Sequence, residues 1–304
     1  MSVAAGPTRG ALVAELAEVV GAPHEARFIV DEVLGLGLVL GLPNVPTGPL
    51  DDDTVAAARH LAERRAAGEP LQYVFGHWPF RGLDLVVDRR VLIPRPETEQ
   101  VAEVALAEAR RLGRGAAGAG VVAVDAGTGT GALALALATE LGRPVVREVW
   151  AVDASPDALE VAAANVAAVR ERLGDALPRI ELVLGSWLQA LPPALRGDVD
   201  LVVSNPPYVA AEEWPGLAPE VRAEPRRALV AGPGSDGTAG LGDVEAVLHQ
   251  AMDWLGRSGT AVIELAPHQA PPAAELAGRL GFGDVRVEPD LAGRPRALVA
   301  RVAR

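Results

Sequence analysis

The chain has 304 residues, a formal net charge of −12, a hydrophobic content of 49% and no cysteine. That length allows two domains, or one large domain with an appendage, and apolar content near half supports a substantial core and excludes a disordered chain. The missing thiols exclude a disulfide framework, thiolate metal sites and a cysteine nucleophile, while an acidic chain whose only cations besides histidine are arginines lowers the expectation of duplex nucleic acid without removing it.

The N-terminal segment carries acidic residues inside its apolar stretch and does not read as a secretory signal. The longest apolar run, about residues 34–42, is half the roughly 20 residues a membrane span needs. A soluble cytoplasmic protein is the expectation. Leu12, Leu16, Val19 and Val20 recur at helical spacing. Pro23 suits the first turn of a second helix, whose Phe28, Ile29 and Val33 share a face. A loop rich in Pro and Gly, residues 41–49, precedes a third helix capped by Asp51 to Asp53 and stopped at Gly68 and Pro70. These stripes predict a small helical domain over residues 1–70. Residues 71–97 are aromatic and punctuated by Gly and Pro, and predict an extended or hairpin connector.

Residues 98–304 follow a different rhythm. A helix from Thr98 to Leu112 and a flexible Gly-Ala segment, residues 113–120, lead to a series of short apolar runs: VVAVD, EVWAVD, IELVL, DVDLVV and TAVIEL. Helical patterns separate most of them, which predicts an α/β fold with a mostly parallel sheet covered on both faces. The last two strand-like runs, around DVRVEP and RALVARV, have no helix between them and predict an antiparallel edge.

Three constellations carry chemistry. Gly127-Thr128-Gly129-Thr130-Gly131 follows a strand and opens a helix, where glycines permit a tight turn and close approach of a ligand to bare backbone. Asp153 ends the next strand, where a carboxylate accepts ribose hydroxyls; it would otherwise cap the following helix, a task Ser155 can perform. Together they argue for an adenosine-containing cofactor, leaving open a nicotinamide dinucleotide or S-adenosyl-L-methionine. The third is Asn205-Pro206-Pro207-Tyr208, after the fourth strand and facing the same crevice. The Asn205 amide oxygen and the Pro206 carbonyl are two acceptors, the second fixed in space by proline. They suit an –NH2 with two donors, and Tyr208 offers a flat face to a planar group. Methyl transfer to a weakly nucleophilic amide or base nitrogen fits this set, and hydride transfer does not. Trp187 is placed to wall an adenine pocket or to plug the core. The histidines are scattered, and Ser186 and Ser204 lack a histidine partner, so neither a metal site nor a serine nucleophile is indicated.

With these motifs in view, the chain resembles the protein-glutamine N5-methyltransferases of the HemK/PrmC type. GEPLQYVFGHWPFRGLDLVVDRRVLIPRPETE is similar to the family's connector, and VDAGTGTGALALALA, AVDASPDALEVAAANV, SNPPYV, EPRRAL and DLAGRPR match later segments. The NPPY element alone is shared with adenine-N6 methyltransferases; the combination is far more specific. The resemblance implies a helical substrate-recognition domain, a Rossmann-like methyltransferase domain with about seven strands, and S-adenosyl-L-methionine as cofactor. It implies a peptide chain release factor as partner, modified at the glutamine of its Gly-Gly-Gln loop. Carried over by motif, Gly127 to Gly131, Asp153, Trp187 and Asn205 bind the cofactor, and Asn205 to Tyr208 hold the glutamine amide. A ribosomal-protein glutamine and an adenine in DNA are the rival substrates. Two segments depart from the family pattern. Residues 231–241 read AGPGSDGTAGL where the family has a compact G-G-x-D-G-L, and Ala266 replaces glycine in E-x-G-x-x-Q between Glu264 and Gln269.

Overall fold

The computed structural model describes residues 6–36, 46–115 and 120–303. Parts of the 34–42 apolar run, the 41–49 loop and the 113–120 linker lie outside these residues. The chain forms two compact units, one of residues up to His77 with 218–223, the other of residues 78–217 and 224–304. No helix of the described residues is long and apolar enough to cross a membrane.

The first unit is helical: α1 (Arg9–Val20), α2 (Pro23–Val33), α3 (Asp52–Ala66) and α4 (Leu71–Phe75). Thr8 and Asp51 accept the N–H groups of Ala11 and Thr54, capping α1 and α3. Leu12, Leu16, Ile29, Val30, Val55, Ala58 and Ala62 form the core. Val19 was expected on the α1 stripe but is 47% exposed. The covered face runs through Leu12, Val13, Leu16, Ala17 and Val20, and Val19 stands about 100° away from Val20 around the helix. A second difference is α4. LQYVF was expected to be extended, yet it makes a helical turn that buries Leu71, Tyr73 and Val74. Pro70 sets its entry, and Gly76, at φ 81°, ends it by donating its N–H to the Gln72 carbonyl.

The second unit begins at Trp78, within the hairpin of β1 (His77–Phe80) and β2 (Leu83–Val86), and continues with α5 (Pro96–Gly115), with proline in the first turn. The series continues with β3 (Val121–Ala126), α6 (Ala132–Leu141), β4 (Val146–Asp153), α7 (Pro156–Leu173), β5 (Arg179–Leu184) and β6 (Val199–Ser204). Short β7 (Val209–Ala210), α8 (Pro219–Arg222, part of the first unit) and β8 (Val230–Ala231) follow. Last come α9 (Gly242–Trp254), β9 (Leu255–Glu264), α10 (Ala270–Leu280), β10 (Phe282–Pro289) and β11 (Pro295–Val302).

Seven strands form one sheet in the order β10-β11-β9-β6-β3-β4-β5. Strands β3, β4, β5, β6 and β9 run parallel, and β11 is antiparallel to both β9 and β10. This is the mixed α/β sheet with an antiparallel edge that the alternation predicted. All six residues of β3 are buried, as expected of a central strand covered on both faces. The chain runs from β3 outward to β5, then crosses to β6 on the other side of β3. The crevice at this reversal, outside the carboxyl ends of β3 and β6, is where such sheets bind ligands.

Candidate active site

A cavity of about 310 Å³ opens at that crevice, within the size range of small-molecule sites. Its wall includes Gly127 to Thr130 after β3, Asp153 at the end of β4, Trp187 after β5, and Asn205 and Pro207 after β6. Gly131, Pro206 and Tyr208 are not part of the wall. Gly131 instead begins α6 at φ 82° and packs on Ala162 and Leu135.

The glycine loop is held from below by Asp125. One carboxylate oxygen accepts the Thr128 hydroxyl (2.7 Å) and the Ala134 N–H (3.0 Å), tying the loop to the first turn of α6. The other has no partner among the described residues, and complete burial pushes the Asp125 carboxyl up to about 6. Gly127, at φ 79°, leaves little room for a side chain: a Cβ there would stand 3.0 Å from the Trp187 ring, which would have to give way. Trp187 itself adopts φ 50°, an uncommon conformation for a bulky residue. The Gln250 side chain supports it by accepting the N–H groups of Leu188 (2.9 Å) and Gln189 (3.2 Å). Both the indole and the bare glycine backbone thus face one small volume.

Asp153 does not stand free. Its two oxygens accept the N–H groups of Gly129 (2.9 Å) and Ser155 (2.8 Å). Ser155 caps α7 by accepting the Ala158 N–H (3.1 Å), as expected, and also accepts an N–H of Arg227. A carboxylate has about four acceptor positions, so Asp153 keeps capacity for ligand hydroxyls while holding Gly129 in place.

At the other end of the cavity the Asn205 amide is ordered by a chain of contacts. Its Nδ2 donates to Thr98 Oγ1 (3.1 Å), and the Thr98 hydroxyl donates to Glu264 Oε2 (2.7 Å). Asn205 Oδ1 is enclosed and has no hydrogen-bond partner among the described residues. The loop that carries it is fixed at several points. Ser204 donates to the Ala126 carbonyl at the end of β3 (2.6 Å). The N–H groups of Tyr208 and Val209 donate to Leu229 (3.2 and 2.9 Å). Gln269 donates to the carbonyls of Tyr208 (3.0 Å) and Ala239 (3.1 Å). Gly240 approaches so closely that a Cβ would sit 2.2 Å from the Tyr208 carbonyl oxygen. The two segments that depart from the family pattern therefore grip the backbone of the NPPY loop, and Gln269 joins them.

A profile described as a methyltransferase domain matches residues 123–224, and one described as a PrmC N-terminal domain matches residues 11–76. A release factor glutamine methyltransferase of Cereibacter sphaeroides is 38% identical over 92% of this chain and 91% of its own. One of Geobacter sulfurreducens is 37% identical over 97% and 94%, and one of Deinococcus radiodurans 38% over 92% and 91%. The chain belongs to the release factor glutamine methyltransferase family. Among solved structures, a methyltransferase from Pyrococcus furiosus aligns with this family member over 74% of the chain and 91% of its own, at 17% identity and a TM-score of 0.49.

Several residues of this family member escaped the sequence reading. Thr98 sits in PETE and orders Asn205, Gln269 holds the NPPY loop, and buried Glu224 accepts the Ile93 N–H (2.9 Å) and an Arg95 N–H, anchoring the connector. Asn165 joins β2 to the glycine loop, accepting the Val86 N–H (2.7 Å) and donating to the carbonyls of Val86 (3.2 Å) and Thr130 (2.9 Å). Glu224 lies in EPRRAL, Thr98 in the PETE that closes the connector-like segment and Asn165 in AVDASPDALEVAAANV, three segments that carried the resemblance; none of them says which partner the side chain meets.

Proposed function

We propose that this protein transfers a methyl group from S-adenosyl-L-methionine to the side-chain amide nitrogen of the Gly-Gly-Gln glutamine in a peptide chain release factor. The observation that carries the reading is Asn205 Oδ1, a buried acceptor without a partner among the described residues, in the wall of the same cavity as the glycine loop and Asp153. A buried unpaired acceptor costs about 1–3 kcal/mol, and an incoming amide N–H would remove that cost.

The residues present fit the cofactor. Gly127 and Gly129 offer bare backbone, Asp153 has spare lone pairs for two hydroxyls, and Trp187 offers an aromatic face. When bound, the cofactor supplies a methyl group activated by a sulfonium. What the protein adds is position. An amide nitrogen is a poor nucleophile because its lone pair is conjugated with the carbonyl. Asn205 Oδ1 and the Pro206 carbonyl would accept its two N–H groups and so aim the lone pair along the third direction. Held geometry and fixed dipoles supply most of the rate in such a site. Tyr208 is no base: burial first, and Glu264 next, push its phenol up to about 12, so it stays protonated at neutral pH. Its contribution would be a ring face against the amide plane.

The helical domain, residues 1–70, would recognise the release factor, and the connector, residues 71–97, would carry the chain into the methyltransferase domain, residues 98–304. The test uses methyl-labelled cofactor with a release factor, a ribosomal protein and DNA offered separately. Label on the release-factor glutamine supports the reading; label only on the ribosomal protein or on adenine overturns it. A chain beginning at Trp78 that methylated intact release factor as fast as the full chain would overturn the recognition role of the helices.

A further inference from the structure

We propose that Thr98 and Glu264 are positioning residues that decide which end of the Asn205 amide faces the substrate. This rests on the reading that Asn205 holds the glutamine amide. An asparagine side chain is nearly symmetric in shape, and a half-turn about its last bond exchanges an acceptor for two donors. Only the acceptor end can bind a substrate –NH2. The protein therefore needs something that tells the two ends apart.

The structure provides it. Glu264 ends β9 beside the end of β6, where Ile263 pairs with Ser204, the residue before Asn205. Thr98 lies in the first turn of α5, only 4% exposed, with Glu264 fully buried beyond it. A threonine hydroxyl has one proton. An ionised carboxylate can only accept, so the Thr98 proton is committed to Glu264 Oε2 (2.7 Å). The Thr98 oxygen can then only accept from Asn205, which it does, from Nδ2 at 3.1 Å. Oδ1 is thereby turned away from Thr98 and left without a partner among the described residues. The direction of each bond follows from the one before, and the carboxylate sets the first. The position of Thr98 is fixed independently, because Glu224 holds the connector just before it through Ile93 and Arg95.

Protonation of Glu264 would release the order, because a neutral carboxyl can either accept or donate. A neutral carboxyl can donate to Thr98, whose own proton then turns toward Asn205 and asks for Oδ1. Nδ2 would face the substrate, donor against donor. Burial pushes Glu264 up to about 7; Glu97 and the neighbouring Tyr208 also face it, Glu97 raising it further, while Thr98, Arg296 and Arg95 pull it down. Because the group is raised, its charged form is lost as pH falls through about 7. Turnover should fall with it, with no matching loss of cofactor binding.

The experiment uses the full chain, intact release factor and methyl-labelled cofactor. Thr98→Val keeps the shape and removes the hydroxyl; its turnover should fall about 10- to 100-fold, the scale of a misplaced reacting group. Cofactor affinity and KM for the release factor should stay close to wild type; melting should fall by a few degrees, because Glu264 Oε2 and Asn205 Nδ2 each lose a partner, and Thr98→Ser should restore most of both losses. Glu264→Gln should lose the acid limb of the kcat profile. Asn205→Ala is measured beside them. If Asn205→Ala is inactive and Thr98→Val turns over normally, the relay is wrong while the amide-holding role of Asn205 stands. If Asn205→Ala is active, both fall. The wild-type profile is a check that needs no variant: a kcat that stays flat between about pH 8 and pH 6 overturns the relay.

Discussion

The two ends of the cavity are built on opposite principles. At the Asp153 end the polar groups on the wall are largely satisfied within the protein: both carboxylate oxygens of Asp153 already accept backbone N–H groups, and Ser155 both caps a helix and accepts from Arg227. At the Asn205 end the wall itself holds an enclosed acceptor with no partner among the described residues, whereas the other unpaired carboxylate oxygens, Asp125 Oδ1 beneath the glycine loop and Glu264 Oε1 two hydrogen bonds along the relay, lie off the wall. The first end is a preformed mould, whose shape exists before a ligand arrives. The second holds unmet hydrogen-bonding capacity, which a correctly shaped amide would complete. A site that must bind its cofactor in every cycle and select one nitrogen from many gains from this division.

The comparison breaks most clearly at Asn205. Asn205→Ala removes the acceptor and should lower turnover by roughly 10²–10³, the loss seen for one preorganised transition-state partner. Removing a residue whose oxygen is unpaired should leave melting near wild type, and cofactor affinity should change far less than turnover. A variant that turned over normally would place the catalytic centre elsewhere. One that melted early and lost everything together would make NPPY a rigid turn and no more.

Asp153→Ala tests the mould. Loss of a charge-assisted bond to the cofactor should weaken affinity by about 1.5–3 kcal/mol, roughly ten- to a hundredfold. The two backbone N–H groups it leaves behind add a fall in melting temperature that Asn205→Ala should not show. Calorimetry with unchanged affinity would make Asp153 a structural residue only. A smaller change at the same end is Gly127→Ala. The left-handed conformation costs a side chain about 1–2 kcal/mol, and the new methyl must displace the Trp187 ring. Melting should fall by a few degrees, and a displaced ring should weaken cofactor binding more than it lowers kcat. Unchanged affinity would show that Trp187 is not part of the cofactor wall.

Much of this was legible from residues alone, and the reason is locality. The strand-helix alternation, the antiparallel end and the glycine loop are written in segments of ten to twenty residues, where periodicity and glycine placement act directly. Asn205 was legible because a double proline after a buried strand has few other uses. What was hidden is what the sheet register brings together from afar. Thr98 is 107 residues from Asn205 and 166 from Glu264, and no local pattern links them. Helix α4 was hidden for a different reason: LQYVF has strand-like composition, and its two flanking residues, Pro70 and Gly76, override it. Gly131 was read as cofactor-binding by position in a motif, whereas it lies off the cavity wall and caps the start of α6.

The mildest change should be Tyr208→Phe, and its mildness would be informative. The Tyr208 ring lies off the cavity wall, yet its carbonyl is gripped by Gln269 and crowded by Gly240. Its phenol is pushed up to about 12 and cannot exchange a proton at neutral pH. If the ring face and the held backbone are what matter, removal of the oxygen should change turnover by less than about threefold, the scale of one modest hydrogen bond. The pH profile should not move, because the groups raised toward neutrality are Glu264, at about 7, and Asp125, at about 6, and the Tyr208 phenol is neither. Tyr208→Ala, which removes the ring, should be severe. A large loss in Tyr208→Phe would mean that the hydroxyl meets the substrate directly, and the unmet capacity at this end would then include a donor as well as the acceptor of Asn205.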